Sequence, residues 1–574
     1  MKSHAVLAFW RKHWLEAGVL ASSGLAFVLG YIGFERALPA AGQTPSQLDI
    51  LYLTIQLFFL KSGIVPGPLP WELEIARFLA PLAIAGTILE IFYKTVQEVL
   101  LRLTRDHIVV CGLGRKGLQL VKEFQGHGDV VVAIEKDEQN DAVRICRALG
   151  VVVLVGDATD KALLQRARVH CAKHVIAICR DDAANLEIAL HTLQLTKEKR
   201  TSLTTKIGCY THVVNLHLHE SLRQQSLFAD QNDPVDVRVF NNYADSARQV
   251  LNDYPLERGG TSSTDSRVVH LVVLGFERMG QSVALQAAKV GHYANGKRLR
   301  ITVIDGQVER QKKEFLRRYP QFGAVCDAEY LALDADDCEA LERIHEAAHN
   351  QNSSMTVAVC LEDDSCCFTC AMNVLPRLRR TDVPVLVNMM EQGGLVELLR
   401  DIPGVRPFGM TNLTCTGDLL LHENLDKVAI AVHEQYREQQ RERKPNTDTA
   451  MQPWQLLDPV LQDSNRQQAD HIPIKLRAIG CMSARLPTES KSVPLKEFSP
   501  DEVELLARME HARWNAERFL GGWTLGPRDP DNRTSPYLVP WDDLDDDIRE
   551  YDREAVRNIF CLLETIGEKI YRSA

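Results

Sequence analysis

The sequence predicts an α/β protein in which two doubly wound, parallel-sheet domains follow a transmembrane helical hairpin and precede a C-terminal α-helical module. Three observations carry that expectation. Residues 107–135, HIVVCGLGRKGLQLVKEFQGHGDVVVAIE, set out an apolar run, three glycines at G-x-G-x-x-G spacing and a helical pattern through Leu118, Val121 and Phe124. A second apolar run ending in Glu135 completes the unit. The same order of features returns from residue 268. Two long apolar stretches, 15–34 and 75–93, stand ahead of the first unit.

Length and composition bound the rest. A chain of 574 residues holds three or four domains at about 150 residues each. Hydrophobic content of 45% and charged content of 25% are those of a globular protein. A net charge of −10 leaves no basic footprint, so nucleic acid is not an expected partner. The fourteen cysteines lie mostly inside apolar runs, as at Cys111, Cys179 and Cys360, which suits reduced thiols in a cytoplasmic body. Cys366, Cys367 and Cys370 could be metal ligands. They lack a second pair or a histidine at zinc-like spacing, and their helical context predicts buried packing, with no metal expected.

In the first unit, Gly112 permits a tight turn, Gly114 lets backbone N–H groups approach a pyrophosphate, and Gly117 lets the helix pack close to the sheet. An anion can then sit on the helix N-terminus. Glu135 would take the ribose hydroxyls, which favours an unphosphorylated ribose. The expected ligand is NAD(H) or an adenine nucleotide, ADP or ATP. Residues 151–155, 175–179, 206–213 and 235–240 read as the remaining strands of this Rossmann-like unit.

The stretch 15–34 carries one charge, Glu16, at its edge and is long enough to span as a helix. Arg11, Lys12 and His13 precede it, while Lys94, Arg102 and Arg105 follow the second stretch. Basic residues thus flank the same side of both, which predicts a multi-pass protein of the cell inner membrane with both termini cytoplasmic. A cleaved signal peptide is the rival for the first stretch, although no small-residue cleavage site stands out. Between them, residues 48–71, LDILYLTIQLFFLKSGIVPGPLPW, are too short to span and read as a re-entrant helix and loop.

The order of helix, re-entrant segment, helix and nucleotide unit resembles a two-helix potassium channel joined to a regulator-of-conductance (RCK, or TrkA-N) domain. The run VVLVGDATDKALLQRARVHCAKHVIAICRDDAANLEIAL, 152–190, resembles the same family. The resemblance implies that Asp157, Ala158 and Thr159 lie near the adenine and ribose, and that Arg115 meets phosphate. Asp157 can equally be the N-cap of the following helix, and both roles can coexist. Channels of this kind carry a T-V-G-Y-G filter whose carbonyls replace potassium's water shell. Here the segment reads Phe59-Leu60-Lys61-Ser62-Gly63, so Phe59, Lys61, Ser62 and Gly63 are the pore candidates, with Lys61 placing a cation near the path. The alternative is a hairpin that only anchors and oligomerises the cytoplasmic part. Gly86 reads as a gating hinge or a close-packing position.

After a Gly/Ser/Thr-rich linker, 255–267, strands are expected at 269–274, 301–304, 330–333 and 355–360. This copy is degenerate. Glu277 stands where the first has Gly114, and its carboxylate would face an incoming pyrophosphate. A structural or dimerising role is expected, with an altered ligand as the alternative; Asp305 reads as a relic of a ribose binder. Residues 419–442 read as a helix leading into a solvated hinge.

The last part opens with 461–480, LQDSNRQQADHIPIKLRAIG, and continues through Glu510, His511, Trp514, Arg518, Trp523, Gly526, Pro536, Leu538, Pro540, Leu544, Asp552 and Arg553. These positions resemble the RyR domain, the small helical module repeated in ryanodine receptors. Glu510, Trp514 and Arg518 share one helix face. With His511, Trp523, Tyr537 and Trp541 they suit a flat, charged ligand such as a nucleotide base and its phosphate. The alternative is that the aromatics form the module's own core, with Arg518 paired to Asp552 or Glu510. The acidic residues Asp529 and Asp542–Asp547 read as a solvated face rather than a metal site.

The expected boundaries are 1–103 for the hairpin, 104–254 and 268–425 for the two sheet domains, 426–453 for a helical linker and 454–574 for the last module. The expected function is a nucleotide-responsive channel or channel-like effector, a tetramer or dimer, in which residues 93–105 transmit ligand binding to the helices. The alternative is a non-conducting, nucleotide-binding regulatory subunit of a cation transport system. No substrate domain with a His/Lys/Tyr acid–base group follows the dinucleotide motif, so an enzyme is not expected.

Overall fold

The computed structural model describes the chain except residues 1–13, 41, 43, 60–68, 200–205, 215–232, 391–392, 410–415, 418–423, 442–447, 486–492 and 573–574, and the side chains of 14–20 and 86–100. Lys61, Ser62 and Gly63 therefore lie outside the described residues, whereas Gly86 falls within the helix Trp71–Leu103.

Two long helices, Trp14–Ala40 and Trp71–Leu103, pack together, with a shorter helix, Gln47–Leu57, against them. Ser46 and Asp49 cap the short helix reciprocally, which satisfies two of its first-turn donors. Phe34, Ile50, Leu57, Leu73 and Ala76 fill the space between the helices. Gly33 allows the close approach: a Cβ there would stand 2.9 Å from Leu73 Cα. Among the described residues, no helix is long and apolar enough to cross a membrane. The outer faces are nonetheless apolar, with Tyr52 63%, Phe78 72% and Leu82 67% exposed.

The second long helix enters the next unit directly. Leu101 is buried in that unit's core, and Arg168 Nε donates to Thr104 O at 3.1 Å. Six parallel strands follow: β1 (Ile108–Cys111), β2 (Val131–Glu135), β3 (Val152–Val155), β4 (His174–Ala177), β5 (Ile207–His212) and β6 (Val235–Phe240), in the order β3-β2-β1-β4-β5-β6. That is the doubly wound order, with its switch point between β1 and β4. β1 and β4 are apolar on both faces because helices cover both sides.

Strands β7 (Val268–Leu274), β8 (Arg300–Ile304), β9 (Asp327–Leu331), β10 (Ser353–Val359), β11 (Val385–Asn388) and β12 (Val405–Phe408) form a second parallel sheet, ordered β12-β11-β10-β7-β8-β9. Counted from its own first strand this is the same 3-2-1-4-5-6 order. β9 begins three residues before the expected 330, because Asp327 and Ala328 already pair with Arg300 and Ile301. The helix expected at 419–442 is shorter, Lys427–Gln440; residues 419–423 lie outside the described residues.

The last part is built on two long helices, Pro459–Ala478 and Pro500–Leu520, with β13 (Cys481–Ala484) pairing antiparallel to a final strand, Lys569–Arg572. Its apolar side chains do not form a separate core. Leu506, Trp541 and Ile559 belong to one cluster with Val283, Ile301 and Phe315 of the second sheet unit and with Val250 and Leu251 of the helix after β6, Asn242–Asp253.

Candidate nucleotide site

The tips of β1, β2 and β3 meet at one sheet edge because Cys111 pairs with Ile134 and Glu135 with Val155. Ligands of doubly wound sheets bind at such carboxyl ends. At Gly112, φ is 101°, a left-handed conformation in which an added Cβ would also stand 3.0 Å from Ile178 O. Gly117 is closer still: its Cβ would lie 1.9 Å from Gly112 O, so the helix Arg115–Gly126 sits against the loop only because no side chain intervenes. Gly114 is the N-cap of that helix and provides no side-chain cap, and space in front of its Cα is open. First-turn N–H groups thus face an open approach, where an anion is favoured by the helix dipole.

Glu135 is held in place by the loop. Its Oε2 accepts from Leu113 N at 2.7 Å and its Oε1 from Asp137 N at 3.0 Å. Each oxygen retains a second lone pair for a ribose hydroxyl. Asp157 is not the N-cap of the next helix; that role belongs to Asp160, which accepts from Ala162 N at 2.8 Å. Instead Asp157 accepts from Thr159 N at 3.0 Å, from Thr159 Oγ1 at 2.8 Å and from Lys136 Nζ at 2.8 Å. Lys136 and then the Thr159 donors bring its carboxyl down to about 2. Ala158 is buried, Thr159 half-buried and Arg115 exposed at the start of the helix.

Lys116 was invisible as a functional position in the sequence, and it does not point to the phosphate loop. Its Nζ donates to Asn242 Oδ1 at 2.7 Å and lies 3.2 Å from His212 Nε2. Burial, then the adjacent Lys116, hold His212 down at about 4, so its imidazole is neutral. The nucleotide-loop helix is thereby tied to the helix Asn242–Asp253. One turn and a half further on, Arg248 of that helix pairs with Asp470 at 2.8 Å and Asp426 at 2.9 Å, all three buried. Contacts of this kind depend on residues far apart in sequence, and no local pattern marks them.

The second unit repeats the loop without the opening. Gly275 has φ 91°, Gly280 would place a Cβ 2.0 Å from Gly275 O, and Asp305 Oδ2 accepts from Phe276 N at 2.8 Å. Asp305 thus pins its loop as Glu135 pins the first. Glu277 is the N-cap residue here, and burial, Glu362 and Asp305 push its carboxyl up. Glu277, with Glu362 beside it, thus stands at the helix N-terminus where the first unit has Gly114.

In the last module, the ligand candidates adjoin but differ in burial: the His511 ring centroid lies 5.9 Å from that of Trp514 and 5.8 Å from that of Trp541. His511 is buried, bonded to Val539 O at 2.9 Å and 3.3 Å from Asp552. Trp541 is buried too and donates from Nε1 to Glu504 at 3.0 Å. Trp514, Trp523 and Tyr537 are half-buried. Arg518 pairs with neither Glu510 nor Asp552. Its guanidinium lies 5.2 Å from the Trp514 ring centroid and 4.6 Å from that of Trp523, the geometry of a cation over aromatic faces. Glu510 instead binds Lys475 and Arg513, the latter at 2.9 Å, in a buried cluster. Cys367 and Cys370 are packed into the second unit's core while Cys366 is exposed.

Residues 108–216 match the TrkA-N domain family and residues 486–572 the RyR domain family. A TrkA-N domain thus occupies the first sheet unit. Over 90 residues, 16% of the chain, the sequence is 31% identical to potassium channel protein 1 of Methanocaldococcus jannaschii, covering 27% of that protein. Over 139 residues, 24% of the chain, it is 21% identical to the voltage-gated potassium channel Kch of Escherichia coli, covering 33% of it. The chain therefore spans about a third or less of the curated relatives it matches. A crystal structure of GsuK bound to ADP is similar at 17% identity and a TM-score of 0.37, covering 73% of this chain and 100% of that one. The GsuK channel bound to NAD is similar at 14% identity and the same TM-score, covering 73% and 84%.

Proposed function

We propose that the chain is a nucleotide-responsive, channel-like membrane protein, in which NAD(H) or an adenine nucleotide at the first sheet unit controls cation movement through an N-terminal pore, and that it is a regulator rather than an enzyme. The observation that carries this reading is the open loop of the TrkA-N domain, with Gly114, Arg115, Glu135 and Asp157–Thr159 at one sheet edge. Leu101, seated in that domain's core, supplies the link: a ligand that changes the domain's packing acts on the long helix Trp71–Leu103 without an adaptor. The apolar outer faces of the hairpin, at Tyr52, Phe78 and Leu82, support a lipid or homo-oligomeric surrounding, a tetramer or dimer in the inner membrane. The half-buried cluster of Trp514, Arg518 and Trp523 is the second ligand surface of this reading.

A second reading, a non-conducting regulatory subunit of a cation transport system, is favoured by the lack of a helix long and apolar enough to span among the described residues. Liposome flux with the purified full-length protein separates the two. Potassium or sodium flux that depends on NAD(H), ADP or ATP supports the pore; nucleotide binding without flux supports the subunit. Absence of nucleotide binding removes both.

A further inference from the structure

The helix Cys338–Ala348 of the second sheet unit carries, at its C-terminal end, His345-Glu346-Ala347-Ala348-His349. This is the H-E-x-x-H spacing, which sets two imidazoles one turn apart on one helix face. Both histidines are exposed, and their ring centroids are 4.2 Å apart. The hydrogen bonds settle which nitrogens are available. His345 Nδ1 lies 2.9 Å from Arg377 O, and His349 Nδ1 lies 2.9 Å from His345 O. A carbonyl only accepts, so each Nδ1 carries the proton, and in the neutral ring each Nε2 presents a lone pair. A carbonyl behind the protonated nitrogen is the support that metal-ligating histidines use to fix tautomer and ring orientation. The last turn of a helix also favours a cation, since its carbonyl ends carry partial negative charge.

We infer that His345 and His349 form a two-imidazole site for a borderline divalent transition metal, Ni²⁺, Cu²⁺ or Zn²⁺. Imidazole nitrogen suits these ions, whereas calcium and magnesium prefer oxygen. Among the described residues, no group of three or more histidine, cysteine or acidic side chains converges on a metal position. Among those residues the third protein ligand of an H-E-x-x-H peptidase is lacking, which leaves the remaining coordination positions to water. The site binds an ion without forming a hydrolytic centre.

The test is titration of full-length protein in detergent with Ni²⁺ alone, followed calorimetrically, for the native chain and for His345→Gln, His349→Gln and Cys338→Ser. Cys338 lies two turns back on the same face and is exposed, so its variant reports on thiol capture. The expected result is about one Ni²⁺ per chain, with affinity falling at least about tenfold in each histidine variant and unchanged in Cys338→Ser, because chelation needs both rings. Both histidines are at the surface, and unchanged melting temperatures without metal will show that the variants fold. Equal Ni²⁺ affinity in native protein and His349→Gln, no binding by the native chain, or loss of binding in Cys338→Ser would each overturn the assignment.

Discussion

The two sheet units share strand order, loop glycines and even the acid that pins the loop, yet they are built for different ends. The first keeps Gly114 at its helix N-terminus and covers both faces of its sheet with its own core clusters. The second puts Glu277 at the same place and gives one sheet face to a core shared with the last module. The comparison teaches that the tight loop is a structural device in its own right. Gly275, Gly280 and Asp305 preserve it where the approach of an anion is opposed by Glu277 and Glu362.

The strongest way to break the comparison is at the helix that joins the units. Arg248→Ala leaves Asp426 and Asp470 buried with a lost counter-charge, although Arg466 still reaches Asp426. About 3–5 kcal/mol of stability should disappear in denaturant unfolding of the full chain. Retained stability would mean the helix Asn242–Asp253 does not hold the units together. Gly117→Val should cost about 3 kcal/mol by forcing the helix from the loop, and Gly280→Val a similar amount, since both Cβ positions lie within 2.0 Å of a carbonyl oxygen. If only Gly117→Val destabilised, the equivalence of the two loops would fail.

Gly114→Asp isolates function from fold. Nothing lies within 4 Å of a Cβ there, so stability should hold while nucleotide affinity drops about 100-fold, roughly 2.7 kcal/mol, from a carboxylate facing the phosphates. Acid should then weaken the second half of the molecule first. His270 and His471 are held down at about 4 and His292 at about 3, all chiefly by burial; in the first unit His212 is held at about 4, and burial also lowers His107 and His170. The unfolded chain takes up protons near 6.5 and the native state does not. Stability present above that pH is therefore lost as pH falls from about 6.5 toward 4, by roughly 2 kcal/mol per histidine at pH 5. Hydrogen exchange at pH 7 and pH 5 locates the loss, and uniform loss across both units would contradict the assignment. The smallest stability effect is expected for Glu277→Gly, within about 0.5 kcal/mol. Nucleotide binding gained by this variant would show that one side chain separates the units; none is expected while Glu362 and Asp305 remain.

Local chemistry made much of this legible. Periodicity and the glycine spacing placed the six strands of the first sheet and four of the second, β11 and β12 excepted, because parallel strands buried on two faces read as apolar runs. The shift of Glu277 to the N-cap position was visible by alignment of the two halves. What the sequence concealed was tertiary. Asp160 competes with Asp157 for the cap, and both sit in plausible local positions. Arg518 avoids the acids three-dimensionally, since Arg513 and Lys475 already occupy Glu510. Lys116 and Arg248 look like ordinary surface cations on amphipathic helices until Asn242, Asp426 and Asp470 arrive from distant segments.

The most direct measurement of the central contrast is calorimetric titration of the full-length protein with NAD(H), ADP and ATP, read for stoichiometry as well as affinity. One nucleotide per chain, lost in Gly114→Asp, is the predicted result. Two nucleotides per chain, or one that survives Gly114→Asp, would contradict an open first site and a closed second.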